Sequence, residues 1–185
     1  MDYPGEWVQP LMISTLGKYA SFGLTYPIVQ SVAAPTSSNI LGGSTGSVLT
    51  SFTLPGPYTV RAFYVYNGAT VTGNIDMGIY QINPGQTSLT RVVSTGATAQ
   101  TGASTVQTLT CTATRLDRGT YYMALGITIS TQTFFSVATT YGMAGGIGCH
   151  ISTSGSPLPA TLTAATWSLA TVRVPWMGIS RNTTI

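Results

Sequence analysis

Charge is what this chain has least of. Asp, Glu, Lys and Arg make up 6% of its 185 residues, against about 25% in an ordinary globular domain. Four acids (Asp2, Glu6, Asp76, Asp117) face seven cations, Lys18 and six arginines, for a net charge of +3. The cations are scattered singly, except that Arg115 and Arg118 are near neighbours. Nucleic-acid binding requires a clustered basic stripe, so no direct contact with nucleic acid is expected.

Long apolar runs are also missing. Thr, Ser or Gly interrupts every candidate before ~18 residues, so no membrane-spanning helix is read. Disorder is excluded for the opposite reason, since 43% of the chain is hydrophobic while disordered segments combine low hydrophobicity with high charge. Two cysteines, Cys111 and Cys149, are too few for a disulfide framework or a four-ligand zinc site. A single bridge between them remains open at this point. The opening Met1-Asp2-Tyr3-Pro4-Gly5-Glu6-Trp7 has neither a basic n-region nor an apolar h-region, so no secretory signal is read there.

Helical periodicity is absent over any ten-residue window, and Thr, Ser, Val, Tyr and Gly dominate instead. Alternation with a period of two recurs. In Pro57–Tyr66 one face reads Tyr58, Val60, Ala62, Tyr64, Tyr66 and the other Thr59, Arg61, Phe63 and Val65, and Asn67-Gly68 follows as a turn signal. A second strand, Asn74 to Ile82, places Ile75, Met77 and Ile79 on one face and Asp76 on the other, where a solvated or interface role is expected. Weaker strands follow at Leu89–Thr95 and Thr105–Thr112. After the turn Leu116-Asp117-Arg118-Gly119 comes the cleanest strand, whose apolar face is Tyr121, Met123, Leu125, Ile127 and Ile129. Its other face, Tyr122, Ala124, Gly126 and Thr128, is small enough for another backbone or a partner to approach closely. Val48–Leu54, Thr133–Ala138 and Trp167–Pro175 complete about seven to nine strands, which predict an all-β, antiparallel β-sandwich of jelly-roll type.

Both ends differ from the middle. Residues 1–45 carry Pro4, Pro10, Pro27 and Pro35 with Tyr3, Trp7, Tyr19, Phe22 and Tyr26. They read as an extended N-terminal arm that packs along the sandwich (residues 46–185) or onto a neighbour. Tyr141 to Pro159 reads as a long Gly- and Ser-rich connection, and Trp176-Met177-Gly178-Ile179 as an apolar patch near the C-terminus.

Chemistry finds little to work with. General acid–base catalysis needs paired carboxylates or a partnered histidine. His150 is the single histidine, the acids are dispersed, and no Gly-x-Ser-x-Gly elbow exists. Cys149 and His150 are adjacent, which in an extended chain points them apart. Gly142-Met143-Ala144-Gly145-Gly146 lacks the Lys of a phosphate loop. No catalytic residue, metal or cofactor is assigned, and no enzymatic activity is expected.

One resemblance does emerge. Tyr64-Val65-Tyr66-Asn67-Gly68-Ala69-Thr70-Val71-Thr72-Gly73-Asn74-Ile75-Asp76-Met77-Gly78-Ile79-Tyr80 resembles a recurrent module of tailed-bacteriophage structural proteins, as does Val93-Ser94-Thr95-Gly96-Ala97-Thr98-Ala99-Gln100. Leu116-Asp117-Arg118-Gly119-Thr120-Tyr121-Tyr122-Met123-Ala124-Leu125 looks like that module's turn and strand, although those proteins often carry Pro at the turn. Pro157-Leu158-Pro159-Ala160-Thr161 resembles its late segment, so the likeness runs in order over residues 48–175 and leaves out the arm. It implies a virion component without enzymatic activity, assembled in the host bacterial cytoplasm and binding other virion proteins, either the major capsid protein or tail proteins. The leading expectation is an outer-capsid decoration or cement protein, as a homotrimer, with no membrane contact. The alternative is a tail or fibre module that binds a host-surface glycan. Interface candidates are Trp7, Tyr19, Phe22 and Tyr26 in the arm, Arg118 in the turn, and Trp176.

Overall fold

The computed structural model describes residues 36–41, 45–85, 87–138, 149–163 and 173–183. These form an all-β antiparallel sandwich with no helix among the described residues. One layer is built from β2 (Gly46–Leu54), β4 (Asn74–Ile82), β5 (Ser88–Ser94), β8 (Gly119–Ile127), β10 (Cys149–Ser152) and β11 (Thr161–Thr163), in the order β10-β2-β8-β4-β5-β11. The two-residue β6 (Thr98–Ala99) adds to β4. The other layer has two three-stranded parts. One is ordered β13-β3-β7, from β3 (Tyr58–Tyr66), β7 (Val106–Leu116) and β13 (Met177–Ser180). The second is ordered β1-β9-β12, from β1 (Thr36–Ser38), β9 (Phe134–Ala138) and β12 (Arg173–Pro175). Trp176 joins the two parts: its N–H donates to the Phe135 carbonyl and its own carbonyl accepts from the Tyr66 N–H, both at 2.9 Å. Consecutive strands repeatedly change layers, which gives the non-local, jelly-roll-like order.

Between the layers lies the main core. β2, β4 and β8 contribute Val48, Phe52, Ile75, Met77, Ile79, Met123, Leu125 and Ile127, and these meet Val60, Phe63, Val65, Leu109, Met177 and Ile179 from the other layer. A residue with branched or aromatic bulk at every second position gives each sheet one face to bury, and that requirement fixes the register.

Several expectations are corrected here. The strand alternation of Tyr58–Tyr66 breaks at a bulge between Val60 and Ala62, so the core face passes from Val60 to Phe63 and Val65. Asn67-Gly68 closes no hairpin: β3 and β4 lie in different layers, and Asn67 is fully buried. The strand Gly119–Ile127 stops two residues before Ile129, which is 38% exposed. Part of the expected connection 141–159 is strand β10, and the apolar patch at residues 177–179 is strand β13 with a buried face. The thirteen strands among the described residues exceed the expected number because the additional ones are two to four residues long, too short to show alternation. The sandwich also begins before residue 46, since β1 pairs with β9 and Ile40 is 1% exposed in the core.

Candidate interaction surface

Which faces remain for a partner depends first on what the chain covers for itself. The outward face of β4 carries Asp76, Gly78 and Tyr80, and that of β8 carries Tyr122, Ala124 and Gly126. Residues 149–163 run across it like a belt, pairing as β10 with one edge strand, β2, and as β11 with the opposite edge strand, β5. Between the two, Leu158 and Leu162 join Leu49, Tyr80, Leu89 and Ala124 in a second apolar cluster. Glycines make room for it. A Cβ on Gly126 would sit 2.8 Å from the Gly155 carbonyl oxygen, and one on Gly78 would sit 3.0 Å from Leu158 Cδ1. The close approach expected at the small face of β8 is therefore made by the chain's own backbone. Gly126→Val is expected to lift the belt and cost ~2 kcal/mol or more, since overpacking against backbone cannot be relieved by a rotamer change. Urea denaturation would measure it, with a cost below ~0.5 kcal/mol contradicting the tight fit.

Polar contacts complete the belt. Asp76 accepts from the Leu158 N–H at 2.8 Å and from Thr95 Oγ1 at 3.1 Å. Tyr80 donates its hydroxyl to the Pro159 carbonyl at 2.7 Å. Arg91 donates Nη1 to the Leu158 carbonyl and its backbone N–H to the Ala160 carbonyl. Burial pushes the Tyr80 phenol far above its ordinary value, with the Arg91 charge opposing that rise and the Asp76 charge adding to it. Asp76 is 0% exposed, which corrects the expectation of a solvated or interface position: the belt supplies the donors that a carboxylate otherwise finds in water.

The remaining chemical candidates are not brought together. His150 pairs with Leu49 at the far edge of the sheet, and β2 and β8 lie between β10 and β4. Three strand spacings, ~14 Å, therefore separate its backbone from β4, which carries Asp76. Cys111 is a free thiol on β7, and burial raises its pKa. Among the described residues, no group of three His, Cys, Asp or Glu side chains converges.

Of the interface candidates, Trp7, Tyr19, Phe22 and Tyr26 lie outside the described residues. Arg118 is exposed at the tip of the β7–β8 turn. Beside it Arg115 and Asp117 pair at 3.4 Å with side chains 69% and 82% exposed, a contact worth no more than ~0.5 kcal/mol in water. Trp176 is half-buried and packs on the main core. Its ring lies 6.4 Å from Tyr66, which stacks on Phe135 at 4.3 Å with 21° between the planes. The outward side of β7 adds Thr108, Thr110 and Thr112, half-buried or exposed and uncharged.

A second polar feature was missed from sequence. Asn67, Gln100, Gln107 and Gln132 form a buried amide network at one end of the sandwich. Its contacts join residues 32 to 40 positions apart, so no local pattern marks it.

No family model, curated protein or solved structure matches the chain.

Proposed function

We propose that this chain is a bacteriophage virion structural protein, an outer-capsid decoration protein that acts as a homo-oligomer through protein–protein contacts. The observation that carries the reading is the uncharged character of the surface. With 6% charged residues in all, and Thr-lined strand faces such as that of β7, contact with another protein desolvates few ions while leaving hydroxyls to form hydrogen bonds. The order of resembling segments from Tyr64 to Thr161 supports the same reading. So does the placement of the acids: among the described residues the one fully buried carboxylate, Asp76, is committed to holding the belt.

A second reading, a tail or fibre module for a host-surface glycan, draws on the Tyr66–Phe135–Trp176 cluster, because half-buried rings can stack on sugar faces. One comparison separates the two. Purified full-length protein added to capsids assembled without it is expected to co-sediment saturably and to give no signal on a glycan array. Removing residues 1–30 is expected to leave a folded sandwich that no longer loads, and Arg118→Glu to weaken loading several-fold. Full loading by the truncated protein would overturn the arm's role. A glycan signal without loading would favour the second reading.

A further inference from the structure

The strands that end the three sheets differ sharply in length. β1, β10, β11, β12 and β13 are each three or four residues long, whereas β7, the end of the sheet β13-β3-β7, has 11 residues. Shortness keeps an edge from pairing with another chain, and charged side chains or prolines do the same. Between Val106 and Thr114 β7 carries neither a charge nor a proline. A bulge does interrupt it. Val60 pairs with Thr114 and Ala62 with Thr110, so Arg61 alone faces residues 111–113. The regular edge is therefore the stretch from Val106 to Thr110.

The ladder fixes which backbone groups that edge offers. Asn67 donates its N–H to the Thr105 carbonyl at 2.9 Å, and the register then runs without a break from Tyr66–Val106 to Ala62–Thr110. Antiparallel pairs alternate between those that exchange hydrogen bonds and those that do not, so Gln107 and Leu109 bond to Val65 and Phe63. Val106, Thr108 and Thr110 turn their N–H and C=O groups away from β3. The far side of β3 obeys the same alternation, since the Tyr66 N–H, across from Val106, donates to the Trp176 carbonyl. Among the described residues no strand pairs with the outer side of β7. Val106 and Thr108 are half-buried and Thr110 is exposed.

We infer that a second copy of this chain pairs here, β7 antiparallel to β7, about a two-fold axis at Thr108. In that register Thr108 faces its own counterpart, and Val106 of each copy faces Thr110 of the other. Each of these pairs exchanges two hydrogen bonds, about six in all, and the two sheets β13-β3-β7 become one continuous sheet. What selects a second copy is self-complementarity. The three offered positions are spaced symmetrically about Thr108, so an identical strand answers every donor with an acceptor. An uncharged strand can also lie beside itself without opposing like charges. The nearest charge on β7, Arg115, lies past the bulge and outside the paired stretch. Across the new pair, threonine meets threonine and valine meets threonine, which are favourable cross-strand neighbours. On the inner side Gln107 and Leu109 are already buried in their own sandwich, so approach dehydrates no ion. A stretch this short makes a small contact, and the association is weak and concentration-dependent. It does not rest on the virion reading, since the edge is offered whatever else the chain binds.

Amide hydrogen exchange of the full chain, read residue by residue by NMR over a dilution series with sedimentation velocity in parallel, tests the pairing. Concentrated protein is expected to associate, with Val106, Thr108 and Thr110 as protected as Gln107 and Leu109. On dilution to monomer those three are expected to exchange at least ~10-fold faster while Gln107 and Leu109 stay protected. Thr108→Pro deletes an outward N–H and no bond to β3, so it is expected to fold and to lose the association. Thr108→Lys leaves the backbone intact, sets two ammonium groups across the axis, and is expected to lose it as well. Protection of the three amides already in the monomer would mean that the chain covers its own edge, which overturns the inference. So would fast exchange of the three at every concentration reached, or a folded Thr108→Lys variant that associates as the unaltered chain does.

Discussion

Replacing Asp76 by alanine is expected to lower the free energy of unfolding by ~2–4 kcal/mol, a large share of the 5–15 kcal/mol typical of a single domain. The reasoning starts from what the carboxylate satisfies. Leu158 N–H donates to Oδ2 at 2.8 Å in a buried site and loses that acceptor once the side chain is gone. Thr95 is less exposed to the loss, because its hydroxyl also reaches the Gly96 carbonyl at 3.1 Å. The damage therefore concentrates in the belt. Amide hydrogen exchange around Leu158 should accelerate more than exchange in β3 or β7, which a purely global loss would not produce. Asp76→Asn is the discriminating partner variant. Its amide oxygen can still accept from Leu158 while its NH₂ turns to Thr95, so it should retain more than half of the lost stability. A cost below ~1 kcal/mol for Asp76→Ala, measured by urea denaturation, would show that the belt is held by its other contacts, the Tyr80 and Arg91 hydrogen bonds, strand pairing and the Leu158 and Leu162 packing.

The fate of Asp76 also illustrates how far the sequence could be read. Period-two alternation correctly set Ile75, Met77 and Ile79 on one face and Asp76 on the other, and strand β4 spans the residues that pattern indicates. Alternation says which side of a sheet a residue occupies, not what lies on that side. The belt comes from residues some 80 positions away, and Asp76 meets it only through folding. Gly126 was more legible, since a run of small residues opposite an apolar face signals a close approach whatever makes it. Tyr58–Tyr66 failed for a different reason. Its bulge reverses side-chain polarity in mid-strand, and no residue in the run is a Gly or Pro that would announce the break. Val92, the residue bulged out between the Ile79–Val93 and Tyr80–Arg91 pairs, is 36% exposed for the same cause.

Substituting Gln100 by leucine, which keeps the volume and removes the amide, is expected to cost ~3 kcal/mol. Its Nε2 donates to Asn67 Oδ1 and to the Thr133 carbonyl, both at 3.0 Å, and its Oε1 accepts from Thr72 N–H and Gln132 Nε2 at 3.2 Å. Four partners in two connections, β3–β4 and β8–β9, thus converge on one side chain that is 5% exposed. Removing it leaves buried donors and acceptors without water to replace it, at roughly 1–3 kcal/mol for each group that finds no substitute. Neighbouring bonds limit the loss: Gln132 still accepts from Thr128 and Ile129 through Oε1, and Asn67 still donates to Thr101 and Gln107. A cycle with Gln132→Leu tests whether the amides act as a unit. Once Gln100 is gone, one bond of Gln132 is already lost, so the double variant should be destabilised by at least ~1 kcal/mol less than the two single costs added together. Strict additivity would mean that each glutamine serves only its own loop. The layer crossings near Thr72, Asn74 and Thr133 would then be held independently, without a shared polar lock at this end of the sandwich.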